Sequence, residues 1–117
     1  MENKQFAKQL EQRTRDFAVR IIKISMKLPD WPESEVIRNQ ITKAGTSIGA
    51  NYREANRARS RADFKSKINI CESEASETPY WLEIVRDIGW LPRTHLEPEY
   101  QECSELLAIF ASIGRKR

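Results

Sequence analysis

The protein has 117 residues, a length that suits one domain with a single modest core. It has no apolar N-terminal segment and no run of about eighteen apolar residues, so we expect a cytoplasmic protein with no membrane partner. The formal net charge of +3 is uneven, because residues 1–67 carry 15 Lys/Arg against 8 Asp/Glu whereas residues 68–117 carry 5 against 9. This asymmetry predicts either a surface that binds a polyanion or complementary surfaces between subunits.

The first predicted helix covers about residues 3–28. Its apolar residues recur at steps of three, four or seven and so lie on one face: Phe6, Leu10, Phe17, Ile21, Ile24 and Leu28. Pro29 ends this helix, because the residue before a proline is disfavoured in the α region. Asp30 or Ser34 is expected to cap the next helix, with Pro32 in its first turn.

The second predicted helix covers about residues 33–59. Its core face consists of residues at alternating steps of four and three: Ile37, Ile41, Ala44, Ile48, Asn51, Ala55 and Ala58. Gly45 and Gly49 lie in its middle, and each costs about 1 kcal/mol relative to alanine. The pair indicates close approach by another helix or, alternatively, a bend in the backbone.

The third predicted helix covers about residues 61–89, with Ser60 as its N-cap and Gly89 as its C-cap. It has the most regular apolar face in the chain: Phe64, Ile68, Cys71, Ala75, Thr78, Leu82 and Val85. Pro79 lies inside this pattern. Because the apolar face keeps its phase across the proline, we expect a kink and not an end.

The fourth predicted helix covers about residues 97–114, with Pro98 in its first turn and a basic tail behind it. Its expected core face is Tyr100, Cys103, Leu107, Phe110 and Gly114. The four helices predict an all-α, up-down-up-down bundle of one domain. The third and fourth helices are each predicted to carry a second apolar row, which consists of Trp81, Ile84 and Ile88 in the third helix and of Leu106 and Ile109 in the fourth. One bundle does not bury these rows completely, so we expect a homo-oligomer.

Residues 40–55 read Gln-Ile-Thr-Lys-Ala-Gly-Thr-Ser-Ile-Gly-Ala-Asn-Tyr-Arg-Glu-Ala. This segment resembles the signature of the four helix bundle protein family, also called the 23S rRNA intervening-sequence protein family. The match continues through Arg57, Ser60, Asp63, Phe64, Lys67, Ile70, Glu74, Tyr80, Trp81 and Leu82. The resemblance implies a bacterial protein that forms a ring-like homopentamer with a central channel. A related protein is an accessory to reverse transcriptases in diversity-generating retroelements, where a basic surface is thought to contact nucleic acid.

Residues 53–67 contain six cationic and two acidic side chains. The cationic residues are Arg53, Arg57, Arg59, Arg61, Lys65 and Lys67. Convergent positive charge of this kind binds phosphates with an affinity that depends on salt, so the segment is a candidate site for RNA or DNA. Two alternatives stay open: a solvated helix end, or salt bridges to the acidic second half of the chain.

Ser47, Asn51 and Glu54 lie on or near one helix face, at steps of four and three. Because no histidine lies nearby to serve as a general base for Ser47, we interpret them as a structural hydrogen-bond network across helices or subunits. Glu74, Tyr80 and Trp81, which match the family signature, are further candidates for this network. The aromatic residues could instead stack on bases, although packing explains them more simply.

We expect no cofactor, no metal site and no enzymatic activity. The carboxylates Glu72, Glu74, Glu77 and Glu83 lack the Glu-x-x-His motifs of di-metal bundles, and His95, the only histidine, falls in a predicted loop. Cys71 and Cys103 lie on core faces and are interpreted as buried free thiols. The expected partners are other copies of the chain and nucleic acid. The alternative is a scaffold that docks another protein.

Overall fold

The computed structural model describes residues 3–116 and contains, in that part of the chain, four helices and no strand. The helices are α1 (Lys4–Met26), α2 (Pro32–Ala55), α3 (Arg61–Ile88) and α4 (Arg93–Lys116). α2 ends before the predicted residue 59 because the chain tightens there, with the amides of Arg57 and Ala58 donating to the carbonyls three residues earlier. α4 begins before the predicted residue 97, so Pro98 lies within the helix and not at its start.

Consecutive helices run antiparallel, as an up-down-up-down bundle requires. Gly45 of α2 faces Ile21 of α1, and Lys67 of α3 pairs with Glu54 of α2. Each helix packs along the next one in sequence, and α1 also packs against α4, more sparsely than the sequential pairs do. The bundle measures 44 × 24 × 20 Å. In the described part of the chain, no helix combines the length and the hydropathy that a membrane span requires.

The predicted faces of α1 and α3 form most of the core. Every member of the α3 face from Ile68 to Val85 is buried, and Phe64 is half-buried. α1 buries Leu10, Phe17 and Ile21, whereas Phe6 keeps 38% of its surface exposed. α3 continues through Pro79 and does not end there, as predicted.

The predicted faces of α2 and α4 need correction. Tyr52, and not Asn51, is fully buried in α2, where its ring meets Phe110 edge-to-face with centroids 5.5 Å apart. In α4, Leu106 takes the core position predicted for Leu107. The predicted phases were wrong by one residue because adjacent residues on a helix differ by only about 100° and both can border the core.

Both predicted caps of α3 are confirmed, whereas the predicted cap of α2 is not. Ser60 accepts a hydrogen bond from the amide of Asp63, and Gly89 ends α3 in the left-handed region at φ 84°. Pro32 is the first residue of α2, as predicted. The predicted cap by Asp30 or Ser34 is wrong, because Trp31 occupies the N-cap position without a side-chain hydrogen bond.

Ion pairs join α1 to α4 along their sparse seam. The Arg13 guanidinium lies 2.7 Å from Glu102 and 2.6 Å from Glu105, and Arg20 lies 2.9 Å from Glu99. The hydrogen bonds to Glu102 and Glu105 raise the pKa of Arg13, although its partial burial acts in the opposite direction. Some cations of the basic first half of the sequence therefore pair with carboxylates of the acidic second half within one chain.

Candidate nucleic-acid interface

The six cationic residues of the predicted basic segment fall into two groups. Arg57, Arg59, Arg61 and Lys65 are exposed around the turn between α2 and α3, and none of them forms an ion pair with a described residue. Arg57 and Arg59 lie in the turn itself, while Arg61 and Lys65 lie on the first turns of α3. The tight end of α2 thus gathers four cations at one end of the bundle.

The other two predicted cations have carboxylate partners. The Lys67 ammonium lies 2.9 Å from Glu54, and this hydrogen bond raises the pKa of Lys67 and lowers that of Glu54. Arg53 lies 3.8 Å from Glu11, a carboxylate that also accepts a hydrogen bond from the Asn56 amide. Both cations therefore contribute less to an anion site than the unpaired group does.

A groove of about 1100 Å³ opens beside the unpaired cations. It lies between the first turn of α1, the turn before α3 and the last turns of α4. Its large apolar lining residues, which we call the floor, come from three helices: Phe6, Phe64, Ile68, Ile109 and Ile113. The groove therefore presents hydrophobic surface directly next to positive charge. We call it the end groove.

All the charged residues that line the end groove are cationic. They are Arg59, Arg61, Lys65 and Lys116, and no carboxylate is among the described residues that line it. Asn3 and Ser60, the N-caps of α1 and α3, line the groove together with the C-terminal residues of α2 and α4, so the helix dipoles at this end offset one another. The side-chain charges of the end groove therefore favour an anionic ligand.

Sequence reasoning found the cations of this site but missed its apolar floor. Phe6 and Phe64 were assigned to the core, yet both stay partly accessible because the bundle is open at this end. Ile109 and Ile113 come from α4, far along the chain. The one available signal was the excess of apolar residues on α4 beyond its core face.

The predicted polar set does not form one network within the chain. Ser47 donates to the Lys43 carbonyl at 2.6 Å, and Asn51 donates to the Ser47 carbonyl at 2.8 Å, so both bond to their own helix. Glu54, the third α2 residue of this set, pairs with Lys67 of the neighbouring helix α3. A role for these residues between subunits stays a prediction.

The remaining members of that set lie on α3. Burial raises the pKa of Glu74, and the charge of Glu77 adds to this effect. Trp81 donates to Glu77 at 3.0 Å and meets the exposed Tyr80 ring edge-to-face, with centroids 4.9 Å apart. Neither aromatic residue lines the end groove.

The two cysteines are buried in the core. Burial raises the pKa of Cys71 to about 12 and also raises the pKa of Cys103, so both thiols stay protonated at neutral pH. Within residues 3–116 no three His, Cys, Asp or Glu side chains are grouped so that they could hold a metal ion.

This chain is similar to known proteins in both sequence and fold. A search of curated proteins finds no match. A crystal structure from Bacteroides thetaiotaomicron, of a protein with unknown function from the S23 ribosomal protein family, is 39% identical and superposes with a TM-score of 0.82. The similarity covers 89% of this chain and 96% of that one. The sequence profile of the 23S rRNA-intervening sequence proteins matches residues 8–112. The chain therefore belongs to the 23S rRNA-intervening sequence protein family.

Proposed function

We propose that this protein is a non-enzymatic homo-oligomer, a pentamer, that binds nucleic acid through the cations at the end groove. The single observation that supports binding is the group Arg57, Arg59, Arg61 and Lys65, which is exposed, lacks carboxylate partners among the described residues and lies at one end of the bundle. RNA is the expected ligand, and DNA shares the phosphate chemistry. Several copies of a modest site in one particle raise the overall affinity by avidity.

The test is fluorescence anisotropy of a labelled RNA at increasing salt concentrations. Four phosphate contacts per site predict an affinity that falls about 50-fold between about 50 and 200 mM salt, from a slope of about −0.7 per contact. Replacing Arg59 and Arg61 by glutamine lowers this slope by about 0.7 for each lost contact. The matched control replaces Lys23 and Lys27, exposed at the opposite end of the bundle, and leaves the slope unchanged.

The proposal of nucleic-acid binding fails if the intact oligomer does not bind RNA or DNA at about 50 mM salt. It also fails if the two double variants lose affinity equally, because binding would then follow net charge and not this site.

The oligomer is supported by apolar residues at the opposite end of the bundle. Met26, Trp31, Val36 and Ile88 lie at or near the ends of α1, α2 and α3 that are remote from the groove, and each leaves more than half of its surface exposed (75%, 57%, 59% and 54%). Large exposed apolar side chains that lie together indicate an interface. The mass in solution tests this: a pentamer of a 13.7 kDa subunit has a mass of about 69 kDa, five times that value.

The same apolar residues favour a second candidate function, a scaffold that docks another protein. In that case replacing exposed apolar residues abolishes partner binding, while reversing the charges of Arg57 and Arg61 leaves it unchanged. A pull-down that recovers only nucleic acid counts against this candidate.

A further inference from the structure

We propose that the end groove binds single-stranded nucleic acid in preference to a duplex, with bases resting on the apolar floor and phosphates held by the cationic rim. This inference rests on the proposed function and narrows it to one class of ligand. Its starting point is the composition of the groove, which is lined by apolar side chains from three helices and whose charged lining residues are all cationic.

The floor offers aromatic faces that a base can reach. Phe6 is 38% exposed on the first turn of α1, and Phe64 is half-buried on the first turns of α3. Every base has an apolar π-face, and stacking on an aromatic side chain strengthens binding of single strands with little dependence on sequence. A phosphate group makes no favourable contact with apolar side chains, so phosphate binding alone gives the apolar residues of the groove no role.

The rim offers phosphate ligands at the same place. Arg59, Arg61 and Lys65 line the groove together with Phe6 and Phe64, so backbone and base contacts can form at one site. A guanidinium group pairs with phosphate oxygens through two parallel hydrogen bonds. Positive charge that follows the backbone beside aromatic rings is the arrangement by which proteins bind single strands.

A duplex cannot use the floor in this way. Its bases are stacked on one another inside the helix, and in RNA the major groove is too deep and narrow for side chains to reach. A duplex does carry the higher charge density, since its salt slope per phosphate is about −0.9 against about −0.7 for single strands. Electrostatics alone therefore favours the duplex, and preference for a single strand requires contacts with bases.

The experiment compares one labelled RNA of about twelve nucleotides, as a single strand and paired with its complement, at about 0.15 M salt. Anisotropy is measured with the intact oligomer. We expect the single strand to bind at least about fivefold more tightly, which corresponds to one stacked base. Phe6→Ala removes about this factor for the single strand and leaves duplex binding unchanged, while Phe6→Tyr keeps the ring and the preference.

Ile22→Ala is the matched control, because Ile22 lies on the same helix with 39% exposure and outside the groove. It should leave both affinities unchanged, and thermal melting and mass should show that the variants remain folded and assembled. Equal affinity for the two RNAs, with both weakened by Arg59→Gln and Arg61→Gln, would overturn the inference while the proposed function stands. Absence of binding to either RNA would overturn both, as would binding of an acidic amphipathic peptide in the groove without binding of RNA.

Discussion

Gly45 and Gly49 set the distance between α1 and α2. A Cβ atom on Gly45 would lie 2.8 Å from Cγ2 of Ile21, and one on Gly49 would lie 3.0 Å from Oγ1 of Thr14. Both neighbours are fully buried side chains of α1. The prediction of close helix approach is confirmed, and the loss of helix propensity at these positions has a packing reason.

Replacing Gly45 by alanine should therefore destabilise the protein. The added methyl group forces the fully buried Ile21 to move, which costs about 1–3 kcal/mol and outweighs the gain in helix propensity of about 1 kcal/mol. Gly114→Ala is the control, because its Cβ would meet Ile68 at an ordinary distance of 3.8 Å, and it should stabilise by up to about 1 kcal/mol. Urea denaturation measures both variants, and equal signs for the two would contradict the account.

Glu74→Gln should stabilise the protein at neutral pH. Burial raises the pKa of Glu74 in the folded state, so the folded protein holds the proton more tightly than the unfolded chain does. The charged carboxylate therefore opposes folding above its pKa, and this effect disappears as the pH falls below the unfolded value of about 4.3. Thermal melting should show a gain for the variant at pH 7 that vanishes near pH 3.

Glu97→Gln is the control for that measurement, because Glu97 is exposed and pairs only at 3.6 Å with Arg93. It should give no gain at pH 7. A gain for Glu74→Gln that stays constant with pH would show that amide packing, and not removal of a charge, is the cause.

At the scale of elements, Arg38 fixes the connection between α1 and α2. Its guanidinium donates to the carbonyls of Ser25, Leu28 and Pro29, at 3.1, 3.1 and 2.9 Å. Ser25 lies in the last turn of α1, and its carbonyl also accepts a hydrogen bond from the Leu28 amide at 3.3 Å. Leu28 and Pro29 lie in the connection, where no helix amide is available to their carbonyls. One side chain on α2 thus satisfies the end of the preceding helix.

Arg38→Ala should lower the free energy of unfolding by about 2–3 kcal/mol, because three hydrogen bonds from a charged group are lost and the carbonyls of Leu28 and Pro29 lose the guanidinium that binds them. Arg38→Lys should restore only a fraction, since an ammonium group lacks the planar fork that reaches several carbonyls at once. Chemical denaturation of the two variants checks this. Full rescue by lysine would mean that charge alone, and not the fork geometry, stabilises the connection.

At the scale of the whole molecule, the two ends of the bundle differ in chemistry. One end carries the end groove beside Arg57, Arg59, Arg61 and Lys65, and the other carries exposed Met26, Trp31, Val36 and Ile88. Ion pairs between α1 and α4 neutralise charge along the seam between these ends. The proposed assembly surface and the proposed ligand site are therefore separable by mutation.

Val36→Glu combined with Ile88→Glu should reduce the mass in solution from that of an oligomer to that of smaller species. Both side chains are more than half exposed in the single chain, so the change costs the subunit little, whereas a buried unpaired carboxylate strongly opposes association. Light scattering coupled to size-exclusion chromatography measures the mass. Lys23→Glu, also on the exposed surface, is the control and should leave the mass unchanged.

An unaltered oligomer with both glutamates in place would show that the interface lies elsewhere on the bundle. RNA binding measured on the same double variant then separates assembly from ligand recognition. If avidity strengthens binding, the smaller species should bind more weakly, with the same preference between single strand and duplex.

The four antiparallel helices could be predicted from the spacing of residues alone. Apolar residues at steps of three and four define α1 and α3, and proline, Ser60 and Gly89 mark several helix ends. The close approach at Gly45 was predicted in the same way. The spacing could not show which of Asn51 and Tyr52, or of Leu106 and Leu107, enters the core, because adjacent residues on a helix can both border it. Only the tertiary structure joined Phe6, Phe64 and Ile113 to the cations of the α2–α3 turn. A site built from three separate segments leaves no continuous pattern in the chain, because it is created by the distances between helices and not by the spacing within any one of them.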